Sequence, residues 1–152
     1  MRAVLQRVTQ ASVAVDGAVI SSVGKGLCVL VGITRDDTPD DMEYIIRKIL
    51  NTRLWEDKDG EAWKTSVKVA SLEILCVSQF TLYGTVTKGN KPDFHQAMNA
   101  AGSRDFYHTF LDKLKEAYNA DKIKDGQFQA MMQVNLTNDG PVTLVIDSRI
   151  RK

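Results

Sequence analysis

The chain is poor in cysteine, proline and histidine and has no long apolar run. It contains two cysteines, three prolines and two histidines in 152 residues. Cys28 and Cys76 each lie in a strand-like apolar stretch without a partner at metal-ligand spacing, so we expect buried free thiols. No stretch reaches the roughly 18 apolar residues of a membrane span, and the N-terminus lacks the features of a signal peptide. These absences predict a cytoplasmic protein with no membrane partner.

Charge and motifs exclude several function classes. The formal net charge is +1, so binding of nucleic acid would need a local patch rather than an overall basic surface. No His-x-Glu with Cys-x-x-Cys and no Gly-x-Ser-x-Gly occurs, which argues against zinc hydrolysis and the α/β-hydrolase mechanism. His108 lies among charged residues and is interpreted as a solvated helix residue. His95, in a polar loop, is a candidate contact for a phosphate or a sugar.

Hydrophobic patterning predicts one α+β domain over residues 1–152, in which a mostly antiparallel, barrel-like sheet packs against two main helices. Asp16-Gly17 is typical of a hairpin turn. The strands are predicted at 2–15, 18–20, 27–33, 72–80, 127–137 and 142–147, with the continuous apolar run 27–33 at the centre of the sheet. The last two strands are predicted to form a hairpin around the turn 138–141.

Two amphipathic segments predict the helices. Thr38-Pro39 supplies a capping hydroxyl and a proline at the first helical position, and apolar residues then recur at helical spacing up to Leu50. Ser103 is predicted to cap the second helix, whose buried face extends from Phe106 to Tyr118.

Two short stretches could carry chemistry. Ser78-Gln79-Phe80-Thr81 places hydroxyls, an amide side chain and consecutive backbone N–H groups at the end of an apolar strand. Such donors can stabilise an oxyanion, and a hydroxyl could attack an ester, although the same residues also commonly satisfy a turn. Gly140-Pro141 offers carbonyl acceptors with little side chain around them, which suits capture of an ammonium group. An ordinary trans-proline turn is the alternative.

Together with Met1–Val8 and 88–94, the stretches Ser-Gln-Phe-Thr-Leu at 78–82 and Asn-Asp-Gly-Pro-Val-Thr at 138–143 resemble the D-aminoacyl-tRNA deacylases. The resemblance extends over nearly the whole chain. Gln129 differs from the small residue that the family pattern has after Phe128.

The resemblance implies a homodimeric enzyme that needs no metal or cofactor. It would hydrolyse the ester between a D-amino acid, or glycine, and the terminal adenosine of tRNA. The Gly140-Pro141 motif would be cis and would enter the partner subunit's site, where it excludes L side chains; Arg7 would fix its orientation.

The same resemblance assigns further roles. The backbone N–H groups of Gln79 and Phe80 would form the oxyanion hole, and Ser78 and Thr81 would shape the site. Phe128 would line the adenosine pocket. The 2′-hydroxyl of the substrate would assist water attack.

Lys88, Lys91 and His95 are the candidate phosphate contacts. Two other hypotheses stay open: a covalent nucleophile at Thr81 or Ser78, and a dimeric tRNA-binding module without catalysis.

Overall fold

The long N-terminal strand pairs with three other strands of the sheet. The computed structural model describes residues 1–151. β1 (Arg2–Val15) pairs with β8 (Gln133–Asp147) along one edge. Its other edge pairs first with β3 (Gly26–Gly32) and then with β2 (Ala18–Val23), and all three pairings are antiparallel. A single strand therefore holds together three others, of which β8 comes from the opposite end of the sequence.

The predicted hairpin at Asp16-Gly17 is confirmed. It joins β1 to β2, and both turn residues have positive φ angles of 51° and 81°. Positive φ at both central positions matches the right-handed twist of the paired strands.

The sheet is mixed rather than wholly antiparallel. β6 (Glu73–Ser78) pairs in parallel with β3, and β7 (Ile123–Asp125) pairs in parallel with β6, giving the order β2-β1-β3-β6-β7. Ser21 Oγ donates to the carbonyl oxygen of Asp125 at 2.7 Å, which links the two ends of this order and nearly closes the sheet. β4 (Arg53–Trp55) and β5 (Thr65–Ser66) form a separate two-stranded ribbon. The predicted α+β class is confirmed.

Both predicted helices are present, and the start of the second differs. α1 (Pro39–Asn51) begins at Thr38, whose side chain and the carboxylate of Asp41 form a capping box. α2 (Ala100–Ala117) is capped by Asn99, whose Oδ1 accepts from the N–H of Gly102 at 2.8 Å. The prediction of Ser103 as cap was wrong, because the Asn99 side chain caps the helix four residues earlier by accepting from a first-turn N–H group. Two 3-10 helices lie at Phe80–Tyr83 and Ala120–Lys122.

The core has two parts, one on each face of the sheet. Between the sheet and the helices, Leu27, Val29 and Val31 of β3 pack with residues of α1 and α2. Inside the curved sheet, Cys28 packs with Val8 and neighbouring apolar side chains. Because β3 is buried on both faces, its prediction as the central strand is confirmed.

The two cysteines are buried and free, as predicted. Burial raises the pKa of the Cys28 thiol to about 11, so it stays protonated at neutral pH. No helix of residues 1–151 is long and apolar enough to cross a membrane.

The C-terminal strands differ from the prediction. Residues 127–132 form turns, and β8 is one strand whose two halves both pair with β1. Asn138 lies opposite Val8 and Thr143 lies opposite Gln6, so residues 139–142 bulge out opposite Arg7 alone. The prediction of a hairpin between these halves was wrong, because both halves pair with the same edge of β1 and not with each other.

A buried carboxylate ties the segment after β8 to α1. Asp41 accepts hydrogen bonds from Ser148 Oγ at 2.7 Å, from the N–H of Thr38 at 2.9 Å and from Arg149 Nε at 3.0 Å. Burial raises the pKa of Asp41, but these hydrogen bonds outweigh burial and hold the pKa well below its usual range. The ionised form of Asp41 therefore stabilises the folded state.

We expect Asp41→Asn to lower the free energy of unfolding at pH 7 by about 2 kcal/mol, because it removes charge-assisted hydrogen bonds from a buried group. The folded pKa of Asp41 is depressed, so its contribution is present above the unfolded pKa of about 4 and is lost as pH falls below it. Urea unfolding of the wild type and of Asp41→Asn should therefore show that their difference in free energy of unfolding becomes smaller as pH falls below about 4.

Asp40→Asn is the matched control. The Asp40 side chain is 75% exposed and pairs with Arg151, so its loss should cost less than about 1 kcal/mol. An equal loss of unfolding free energy in Asp41→Asn and Asp40→Asn would contradict the role of Asp41. So would a loss in Asp41→Asn that does not change with pH.

Candidate active site

The end of β6 is held close to β3 by a glycine. A Cβ at Gly32 would lie 2.8 Å from Cβ of Leu82 and 3.3 Å from the carbonyl oxygen of Gln79. A larger residue at position 32 would therefore push away the 3-10 helix Phe80–Tyr83 that follows β6. On the other side of this helix, Arg2 Nη1 donates to the carbonyl oxygen of Leu82 at 2.8 Å. Together, these contacts fix where Ser78–Thr81 lie.

A pocket of about 640 Å³ opens beside this strand end. Its walls come from Ser78–Phe80, from Phe94 and the residues that lead into α2, and from the turns after Phe128. None of the described residues that line it carries a charge. The pocket can therefore hold a neutral, partly apolar group, and it offers hydroxyls, amides and backbone groups for orientation.

The backbone hydrogen bonds at Gln79 exclude one role predicted from the sequence. The N–H of Gln79 donates to the carbonyl oxygen of Val31 at 2.7 Å, which continues the pairing of β6 with β3. This N–H is engaged, so the prediction that it forms part of an oxyanion hole was wrong. Phe80 and Thr81 begin the 3-10 helix, whose first hydrogen bond is from the N–H of Leu82 to Gln79, so their own N–H groups receive no partner from the helix.

The side chains around Phe80 are ordered by direct contacts. Gln79 Nε2 donates to Thr81 Oγ1 at 2.6 Å, which orients the hydroxyl and leaves its proton free to donate. The rings of Phe80 and Phe94 meet edge to face with centroids 5.0 Å apart. Thr81 itself is exposed and lies outside the pocket lining.

The bulge in β8 carries the second predicted stretch. The peptide bond between Gly140 and Pro141 is cis, as the family resemblance implies, and both residues are exposed. Asn138 Oδ1 accepts from the N–H of Val142 at 2.7 Å, which closes the bulge at its base. Gly140 has a φ of +137°, and a Cβ there would lie 2.8 Å from Val142 Cγ2, so only glycine fits without a shift.

Arg7 attaches this bulge to the rest of the chain. Its Nε donates to the carbonyl oxygen of Asp139 at 2.9 Å, and its Nη1 donates to the carbonyl oxygen of Leu54 at 2.5 Å. The guanidinium also lies over the ring of Trp63, 5.8 Å from its centroid. A planar group with donors in fixed directions can bridge two carbonyls in this way.

The predicted site residues form two groups. Ser78, Gln79, Phe80 and Phe128 meet at the pocket, with Thr81 bound to Gln79. Arg7, Gly140 and Pro141 meet at the bulge, and none of these three lines the pocket of their own chain.

Sequence reasoning missed part of the pocket wall, namely Phe94, Met98, Asn99 and Ser103. Phe94 belongs to the family stretch 88–94 and Ser103 was predicted only as a helix cap, so neither pattern pointed to a pocket wall.

The candidate phosphate contacts lie in that loop. His95 Nδ1 is 2.7 Å from Asp93 Oδ1, and both side chains are more than half exposed. Lys88 and Lys91 are exposed as well. None of the three lines the pocket, so their contact with a ligand stays a prediction.

The fold and the pocket define an α+β protein with an uncharged ligand site, in which free backbone N–H groups lie beside hydroxyls at a strand end. Such a site favours stabilising a developing oxyanion over charge-based catalysis. The family model described as D-Tyr-tRNA(Tyr) deacylase matches residues 4–147, and the chain belongs to this family.

Known relatives match over most of their length. The chain is 55% identical over 148 residues to D-aminoacyl-tRNA deacylase 1 of Danio rerio, a match that covers 97% of this chain and 71% of the relative. It is 54% identical over 152 residues to D-aminoacyl-tRNA deacylase of Drosophila melanogaster, covering 100% and 95%. A solved structure of the c-Myc DNA Unwinding Element Binding Protein superposes with a TM-score of 0.94 at 53% identity, covering 97% and 98%.

We expect Arg7→Lys to loosen the bulge, because an ammonium group cannot bridge the carbonyls of Asp139 and Leu54 in the same geometry. Loss of a hydrogen bond from a charged donor costs about 1.5–3 kcal/mol, so amide hydrogen exchange at Gly140 and Val142 should become about tenfold faster or more. Hydrogen exchange followed by mass spectrometry or NMR measures this change.

Arg2→Lys is the matched control. Arg2 also connects β1 to β8, through Asp147, but at the far end of the pairing. It should leave exchange in the bulge unchanged. Equal acceleration by both substitutions would show that Arg7 has no specific role there.

Proposed function

We propose that this chain hydrolyses the ester bond between a D-amino acid, or glycine, and the terminal adenosine of tRNA in the cytoplasm, as a homodimer. Its family membership supports the reaction, and the uncharged pocket beside Phe80 is the observation that carries the assignment of the site. The terminal nucleoside occupies the pocket against Phe128. The ester carbonyl lies at the end of β6.

Phe80 and Thr81 provide the electrostatic part of the mechanism. Their N–H groups donate to the carbonyl oxygen as it becomes an oxyanion, a contact that is stronger in the transition state than in the substrate. The Thr81 hydroxyl, oriented by Gln79, is a further donor beside them. An aminoacyl ester is already activated, so orientation and oxyanion stabilisation are sufficient for hydrolysis.

Water attack needs a proton acceptor, and the pocket lining supplies none from the described residues. Among residues 1–151, no histidine, carboxylate or lysine lines the pocket. The ribose 2′-hydroxyl beside the ester takes a proton from the attacking water and passes its own proton to the departing 3′-oxygen, so the free amino acid and the tRNA 3′-hydroxyl are both formed. The lack of a basic side chain in the described pocket lining also argues against a covalent mechanism at Ser78 or Thr81, because a serine or threonine nucleophile needs an adjacent base.

Handedness is selected by a second copy of the chain. The outer edge of β8 has no partner strand among residues 1–151, and Leu144 and Val145 are exposed there, which suits pairing with another subunit. Gly140-Pro141 then enters the partner subunit's pocket. Its carbonyls accept from the α-ammonium group, and its backbone fills the space that an L side chain would need.

Purified protein should hydrolyse D-Tyr-tRNA and spare L-Tyr-tRNA, with a ratio of rates above about 100, because exclusion by a rigid backbone costs several kcal/mol. Release of labelled tyrosine measures both rates. Equal cleavage of the two esters, or tRNA binding without cleavage of either, would contradict the proposal; the second result identifies a tRNA-binding module.

A mixing experiment tests whether the site is shared between subunits. Gly140→Ala distorts the bulge, and Phe80→Pro removes one N–H donor at a first helical position, where proline is tolerated. Each variant alone should be nearly inactive. In a shared site, mixed dimers have one intact site, so co-refolded variants should regain about a quarter of the wild-type activity.

The control is a mixture of each variant with itself, refolded in the same way. No recovery in the mixed sample, although gel filtration and mass spectrometry show mixed dimers, would place both groups in one subunit's site.

A further inference from the structure

We propose that Arg104 binds the 5′-phosphate of the nucleotide whose nucleoside occupies the pocket. This inference rests on the proposed function for the identity of the nucleotide, and it assigns a binding residue outside both predicted stretches. Arg104 lies in the first turns of α2, at the rim of the pocket wall formed by Phe128 and Gln129.

Arg104 is attached to that wall by two contacts. Its Nη2 donates to Gln129 Oε1 at 2.9 Å, and its guanidinium carbon lies over the Phe128 ring, 5.6 Å from the centroid. The guanidinium is therefore held in one place before any ligand binds. A preorganised cation loses less conformational entropy on binding than a free one.

The wall behind Arg104 is itself fixed to α2. The buried ring of Tyr107, one turn further along α2, lies 6.2 Å from the Phe128 ring, and its hydroxyl donates to Asp125 Oδ1 at 2.5 Å. Gln129 has a φ of +61°, a backbone conformation that residues other than glycine rarely adopt. These contacts fix the position of the Phe128–Gln129 turn relative to α2 and to the Arg104 side chain.

Charge explains why a phosphate belongs at this rim. The described pocket lining is uncharged, so burying a phosphate inside would cost a large desolvation energy without compensation. A nucleoside in the pocket must leave its phosphate at the mouth. Arg104 carries five N–H donors, of which one is used by Gln129, and no carboxylate of residues 1–151 forms an ion pair with it.

The other candidate phosphate contacts are less suited to this role. Lys88 and Lys91 are exposed ammonium groups on a loop, and His95 is paired with Asp93. A guanidinium can contact two phosphate oxygens at once, whereas an ammonium group acts as a point charge. Arg104 is therefore the cation that the geometry assigns to the phosphate nearest the pocket.

Binding of adenosine and of AMP tests the assignment without any turnover. NMR titration should show that the wild-type protein binds AMP about tenfold more tightly than adenosine, as expected for a charge-assisted contact worth at least 1.4 kcal/mol. Arg104→Gln should abolish this difference and leave adenosine binding within about twofold of wild type. Arg104→Lys should restore part of it.

Lys113→Gln is the matched control for loss of one positive charge. Lys113 lies on α2 beside Glu116, in a separate groove away from the pocket wall. It should keep the full preference for AMP. A wild-type protein that binds the two compounds equally, or an Arg104→Gln variant that keeps the preference, would overturn the assignment. An equal loss of adenosine and AMP binding would show that Arg104 only shapes the wall.

Hydrolysis separates this inference from the proposed function. With D-tyrosyl esters, Arg104→Gln should raise KM about tenfold for the tRNA and AMP esters and leave kcat and the adenosine ester unchanged. If the wild type cleaves no D-ester, the proposed function fails, while the AMP preference still decides the role of Arg104.

Discussion

The structure depends on the way β1 and β8 pair. The two strands run together over almost their full lengths, yet opposite Arg7 the pairing is interrupted by four residues of β8. Those residues cannot join the ladder, so their backbone groups need other partners, and Arg7 and Asn138 supply them. A bulge held in this way keeps the Gly140-Pro141 corner exposed without opening the strands beside it.

The pocket at the end of β6 follows a different rule. It is built where β6 stops pairing and its backbone turns into a short 3-10 helix, which leaves N–H groups without helical partners. Without charged groups in its described lining, the pocket relies on these dipoles and on shape. The chemistry that fits such a site is that of an activated ester, which needs stabilisation of an oxyanion more than a strong nucleophile.

Helix α2 connects the core to this pocket. Its Phe110 and Leu114 are buried against the sheet, while its first turns carry the pocket wall and the contact of Arg104 with Gln129. The buried face was predicted from helical spacing. The contact with residue 129 was not, because Arg104 and Gln129 are 25 positions apart and neither belongs to a pattern that marks a partner.

The sequence by itself determined the α+β class, the central strand β3, the Asp16-Gly17 hairpin and the capped start of α1, because each follows from local turn chemistry or from regular burial. It also contained the two family stretches, and so the family. Only the tertiary structure decided that β8 is one bulged strand, that Asn99 starts α2, and that the Gln79 N–H is engaged by Val31. The β8 pairing and the Gln79 hydrogen bond depend on which distant strand edge or carbonyl group a segment meets in the folded chain, and local sequence does not specify that contact. The start of α2 depends on a choice between two nearby capping residues that the sequence offers equally well.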